Sequence, residues 1–202
     1  MGIWKGRRRM DLNKSISELL RETKREGIEN LIAWMEQNGF FEAPCSAQHH
    51  LCKEGGLAEH SSNVLKNMWK LANTLCPEKA DDMKNSIILC ALLHDIGKCG
   101  QFGKPYYIDN YLSKTDKDGN PVRSSAKPYT INPDLLNVPH DIRSLLIIRE
   151  HIALTEEEQF AILYHNGLYG DLKYQITGKE TQLYMLLHFS DMWASRVDEI
   201  AE

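Results

Sequence analysis

The chain has 202 residues, with 24 lysines and arginines against 28 aspartates and glutamates, a formal charge of −4, and 42% hydrophobic and 26% charged residues. These are globular values for a domain large enough to build its core without disulfides or a structural metal, so a metal held here would serve chemistry more than folding. The acidic balance argues against a binder of long nucleic acid and no apolar run approaches the roughly 20 residues of a membrane helix, whereas small phosphorylated ligands remain open.

Residues 1–10, MGIWKGRRRM, read as a tail and residues 11–202 as one domain. The basic start is followed by DLNKSISELLRETKRE, which supplies no apolar segment, so no secretion signal is expected. Met1-Gly2 opens like a myristoylation site but has Gly6 where Ser or Thr is wanted. Ile16, Leu19 and Leu20, then Ile28, Leu31, Ile32 and Met35, recur at helical spacing on either side of Gly27, which predicts two short helices or one kinked helix. A long amphipathic helix carries Leu57, Val64, Leu65, Met68, Leu71 and Leu75 and stops before Pro77. The next is expected from about Glu78 to Ile96, running into HDIGK with Gly97 as its stop.

Between residues 104 and 131 the pattern changes. Aromatic and β-branched residues flank DKDGNP, whose Asp118-Gly119 predicts the turn of one β-hairpin inserted in an otherwise all-α domain. Helical patterning resumes at Ile142–Ile148, again after Thr155, which with Glu158 forms a capping box, and finally from about Lys179 to Ile200. The five cysteines (Cys45, Cys52, Cys76, Cys90, Cys99) are odd in number and form no CxxC pair, so free thiols and a cytoplasmic setting are expected.

Four polar residues fall on apolar faces. His60 lies three after Leu57 and four before Val64; His94 and Asp95 end the most apolar helix; Asp191 lies four after Leu187 inside LYMLLHFSDMWA. Burying an ionised carboxylate costs several kcal/mol unless it is paired or bound to metal. Each residue alone has a plainer reading as a hydrogen-bonded core histidine, a cap or a solvent-facing aspartate, but two aspartates and two histidines on three helices converge most cheaply on a cation.

The order His60, His94-Asp95, Asp191 resembles the HD superfamily of metal-dependent phosphohydrolases, named for its His-Asp pair. HHLCKEGGLAEHSSNVL is similar to the lead-in of many members, HD-domain exoribonucleases among them; LLHDIGK matches the family core and HFSDMWASRVDE resembles its last ligand segment, so the likeness spans about residues 45–200. It implies an HD-domain helical bundle in which His60, His94, Asp95 and Asp191 hold one metal. Two-metal members place two further histidines in the interval that here contains His140 and His165, with Asp95 as the implied bridge. PHDIRSLLIIREHIALTEEEQFAILYHNG is similar to a stretch of small bacterial HD hydrolases, but the Gly and the Glu-Lys pair around their first histidine are missing and the closing triplet is HNG. His140 also reads as a helix-start residue after Pro139 and His165 as a helix-end imidazole, so one metal and two both stay open. His151, in the same interval, is expected on the surface or behind the ligands.

The ligand set accepts Mn, Fe, Co, Ni or Zn, and a pair of ions about 3.5–4 Å apart suits phosphoryl transfer. Asp95, His94 and Lys98 are the catalytic candidates. Lys98, three residues beyond the pair, is expected at the mouth as a mobile cation for a phosphate oxygen, and His49 or His50 as a substrate contact or general acid. Tyr106, Tyr107, Tyr111 and Tyr129, with Lys104, Arg123 and Lys127, make the hairpin equally suited to stacking on a base or to contacting a second copy in a homodimer. The expected activity is hydrolysis of a phosphoester in a nucleotide, dinucleotide or short oligonucleotide. A two-iron oxygenase and a nucleotide sensor without turnover are the alternatives.

Overall fold

The structure, a computed structural model, describes residues 14–170 and 173–200. The expected tail at residues 1–10 lies outside them. Among the described residues seven α-helices dominate and two small antiparallel sheets stand beside them, so the chain is mostly helical rather than all-α. No helix among them is long and apolar enough to cross a membrane.

The N-terminal run is two helices, α1 (Ile16–Glu22) and α2 (Ile28–Gln37). Gly27 separates them at φ +84°, where a Cβ would stand 2.0 Å from the carbonyl oxygen of His151, so glycine is needed both for the turn and for the close approach. The amphipathic α3 (Gly56–Leu75) buries Leu57, His60, Val64, Leu65, Met68 and Ala72 along one stripe.

The following helix is shorter than its composition suggested: residues 78–83 form turns and α4 spans Lys84–Leu93. Every residue from Ile87 to Leu93 is buried, which makes α4 the centre of the bundle, with α3 packed on it. It ends before the His-Asp pair, and Ile96–Cys99 form a 3-10 turn, so Gly97 is not the helix stop. Gly97 serves packing instead. A Cβ there would lie 2.3 Å from the His140 carbonyl oxygen and 3.0 Å from Ser144 Oγ, and its amide donates to that hydroxyl at 2.9 Å.

The expected hairpin falls within residues 104–131 but is built as two ladders in series. At its base β1 (Tyr107–Asp109) pairs with β4 (Tyr129–Ile131), and farther out β2 (Tyr111–Thr115) pairs with β3 (Pro121–Arg123). Asn110 divides them, its side chain donating to the Lys127 carbonyl at 2.8 Å. At the tip Asp116 Oδ1 accepts from the amides of Asp118 and Asn120, and Gly119 takes φ +83°. The outer strand β2 is exposed throughout, while the Tyr129 amide ties the base to the Ala47 carbonyl in the loop before α3.

α5 (His140–Arg149) packs on the 3-10 turn, α6 (Glu156–Leu163) carries the expected Thr155–Glu158 capping box, and α7 (Gln182–Trp193) lies against α3 and α6. The last helix runs on as a π turn, Ala194–Asp198. In a continuous α-helix Glu199 would be rotated roughly 80° from Asp191. The looser i→i+5 winding reduces that offset and carries Glu199 back toward α3.

Candidate metal centre

The 3-10 turn after α4 exposes Asp95 to side chains from α3, α5, the end of α6 and α7. His60 Nε2 lies 3.6 Å from Asp95 Oδ2 and 3.2 Å from Asp191 Oδ1, and His94 Nε2 lies 3.5 Å from Asp95 Oδ2. On the other oxygen, His140 Nε2 is 3.3 Å and His165 Nε2 3.4 Å from Asp95 Oδ1. Oδ2 of this buried carboxylate therefore faces His60 and His94, and Oδ1 faces His140 and His165, with His94 within ligand reach of both sides. His60, His94 and Asp191 form one group with ligand spacing, and His94, Asp95 and His165 another.

The donor chemistry fits a cation. His60 Nδ1 contacts Glu199 Oε2 at 2.9 Å, His94 Nδ1 the Ala91 carbonyl at 3.0 Å, and His165 Nδ1 the Ile162 carbonyl at 2.7 Å. A ring nitrogen facing a carbonyl or carboxylate oxygen must carry its proton, which turns the Nε2 lone pairs of the neutral rings inward. Among the described residues the buried His60 Nε2, His94 Nε2 and Asp95 Oδ1 have no hydrogen-bond partner. Polar atoms buried at 0–1% residue exposure are costly to leave so, and a bound ion satisfies all three.

Protonation follows the same map. Burial pushes His94 down to about 4 and His140 to about 3, which keeps both imidazoles neutral. Burial acts downwards on His60 as well, but Cys45, Asp191 and Glu199 around it outweigh that and hold it well above its ordinary value. For Asp95 burial is overcome by Lys98 and the surrounding histidines, which keep the carboxylate ionised.

Lys98 is not at the mouth. Its side chain is only 13% exposed and Nζ lies 2.6 Å from Asp95 Oδ2. Side chains three apart eclipse in a 3-10 turn, so this local winding stacks Lys98 over Asp95. His49 is exposed and contacts Gln48, outside the ligand cluster, whereas His50 is half-buried with its ring 5.2 Å from that of His60. His151 lies elsewhere, its ring 6.1 Å from Trp34 and its carbonyl on Gly27. Tyr106 and Tyr107 meet edge to face at the hairpin base, and Arg123 lies 4.4 Å over the Tyr129 ring on its flank.

Sequence reasoning missed Glu199, His188, Arg196 and Tyr169. His188 donates through Nδ1 to the His165 carbonyl at 2.8 Å, and Gly167 leaves room for its ring, since a Cβ there would stand 2.3 Å from His188 Cε1. Its place three residues before Asp191 was the available signal. Arg196 lies 4.7 Å over the Tyr169 ring. On the His60 side Arg196 borders a hollow of about 600 Å³ with His49, His50, Ser195 and Glu199; on the His140 side Tyr169 borders one of about 230 Å³ with Asn166.

Glu199 orients His60 without facing the centre, so Glu199→Gln is expected to weaken cation binding by roughly 10–100-fold while leaving the fold intact. Competition with a chelator of known affinity measures this; an unchanged affinity would show that the contact does not tune the ligand.

No protein-family model matches the chain, and no curated protein or solved structure matches it.

Proposed function

We propose that the chain is an HD-type metal-dependent phosphohydrolase that cleaves a phosphoester bond in a nucleotide, dinucleotide or short oligonucleotide. The observation that carries this reading is the division of Asp95, one oxygen toward His60 and His94, the other toward His140 and His165. That arrangement suits two divalent ions, with Asp95 shared between the sets. The sequence likeness to the HD superfamily supports the same assignment.

Bound ions would supply an activated water and neutralise charge on the phosphoryl group. The chain's own residues do the rest. Glu199 and the Ala91 and Ile162 carbonyls accept from Nδ1 of His60, His94 and His165 and fix the orientation of the rings. Lys98 places a permanent positive charge beside Asp95: burial alone would weaken the ammonium, but Asp95 holds its pKa well above the ordinary range. A phosphate entering the larger hollow would meet the Arg196 guanidinium on its wall. Tyr169, under that guanidinium, offers a ring face to a base. The net charge of −4 favours small substrates over long nucleic acid.

The test is product analysis of manganese-loaded protein against nucleoside mono-, di- and triphosphates, cyclic dinucleotides and short RNA and DNA. Turnover of one class names the bond that is cut; silence across the panel with two ions bound overturns the reading. Within an active class, Arg196→Gln is expected to raise KM about tenfold, near 1.4 kcal/mol, with kcat little changed. A loss confined to kcat would remove Arg196 from substrate binding.

A further inference from the structure

The wall of the centre nearest the large hollow carries sulfur. Cys45 Sγ lies 3.4 Å from His50 Nε2, and the ligand atoms of Cys45, His50 and His60 all fall within 4.8 Å of one another. Cys45 and His60 are fully buried and His50 is half-buried. The loop between the two new members is closed by the Cys45 amide on the Leu51 carbonyl and by Ser46 Oγ donating to the His50 carbonyl at 2.8 Å. His60, whose Nε2 is buried without a hydrogen-bond partner, is the member this group shares with the Asp95 centre.

We propose that Cys45, His50 and His60 form a second kind of metal site, a thiolate–imidazole site for a thiophilic divalent cation such as zinc, cadmium or cobalt. Sulfur beside imidazole selects softer ions than the imidazole–carboxylate set around Asp95 does. On binding, the Cys45 S–H bond breaks, a sulfur–metal bond forms and the proton leaves to solvent. His60 is common to both sites. Its Nε2 faces Asp95 and Asp191 and its Nδ1 is held by Glu199, so whichever nitrogen the sulfur site takes, the carboxylate centre loses a ligand or that ligand's orienting contact. A thiophilic ion on this wall therefore acts as an inhibitor of the centre.

The test titrates Co²⁺ into the full chain and reads the near-ultraviolet spectrum for wild type, Cys45→Ser and His50→Gln. The expected result is a thiolate-to-cobalt charge-transfer band in wild type that is lost in Cys45→Ser and needs at least about tenfold more Co²⁺ in His50→Gln. No band in wild type overturns the proposal, as does a band of equal strength in Cys45→Ser, which would place the sulfur on another cysteine. If Cys45→Ser fails to fold, His50→Gln decides, because it keeps the buried thiol: an unchanged Co²⁺ requirement overturns the site and the tenfold rise supports it. These readouts do not depend on turnover, so the band in a chain without hydrolase activity would defeat the proposed function and leave this site standing.

Discussion

Asp95→Ala is expected to abolish hydrolysis and to empty the centre, because it removes both oxygens around which the two histidine sets are arranged. The fall should be roughly a thousandfold or more, about 4 kcal/mol of transition-state stabilisation. The same change has a second consequence that belongs to folding. Lys98 has its Nζ 2.6 Å from Asp95 and little exposure of its own, so the variant leaves an ammonium nearly buried without its counter-charge. Breaking a buried pair from one side costs about 3–5 kcal/mol, a large part of the stability of a domain this size. Urea unfolding of the metal-free variant measures that term separately from activity. Adding Lys98→Met removes the stranded charge, so Asp95→Ala with Lys98→Met should unfold at a higher urea midpoint than Asp95→Ala alone and remain inactive. Measurable hydrolysis in this folded double variant would show that Asp95 is not central to the chemistry.

The parts of the site legible in the sequence were those that broke a helical pattern. His60 and Asp191 stood out because a stripe of leucines and methionines on an amphipathic helix makes an inward polar residue conspicuous. The Thr155–Glu158 capping box also stands where the sequence placed it, because such a box is a contact between residues three apart and needs nothing from the rest of the chain. The start of α4 was placed some six residues early: a helix buried on all sides has no stripe whose ending marks a boundary. The sequence predicts one hairpin but not its division into two ladders, because Asn110 and the Ser124–Pro128 segment break it through a side chain on a carbonyl, a tertiary arrangement that strand propensity does not encode.

Glu199 and Lys98 illustrate the deeper limit. Glu199 faces His60 because α7 loosens into a π turn, and Lys98 covers Asp95 because the chain tightens into a 3-10 turn. The Glu199 position is wrong for an ideal 3.6-residue helix, whereas Lys98, three residues after Asp95, would share its face in either winding, and nothing in the local residue types announces either change of winding. Such departures from regular winding are frequent at functional sites, where the backbone is shaped by what the side chains must reach. Arg196 was hidden for the same reason, since its position against Tyr169 follows from the π turn.

Gly97→Ala is the change expected to disturb most with the fewest atoms. The new methyl would stand 2.3 Å from the His140 carbonyl oxygen, 2.9 Å from the Ser144 amide nitrogen and 3.0 Å from Ser144 Oγ. Two of these are backbone atoms of α5, so no side-chain rotation relieves the clash and the helix itself must retreat from the 3-10 turn. The cost should be about 1–3 kcal/mol of overpacking, with the Gly97 amide to Ser144 hydrogen bond lengthened or lost. The retreat acts on the centre because α5 begins at His140, whose Nε2 lies 3.3 Å from Asp95 Oδ1. His60, His94 and Asp191 sit on α3, at the end of α4 and on α7, and do not depend on that contact. Gly97→Ala should therefore lower thermal stability and selectively weaken the His140 side, retaining about one bound ion where the proposed two-ion centre would hold two. Metal content of the purified variant, read beside its unfolding midpoint, decides this: two ions retained with normal affinity would show that the tight packing of Gly97 against α5 serves stability alone.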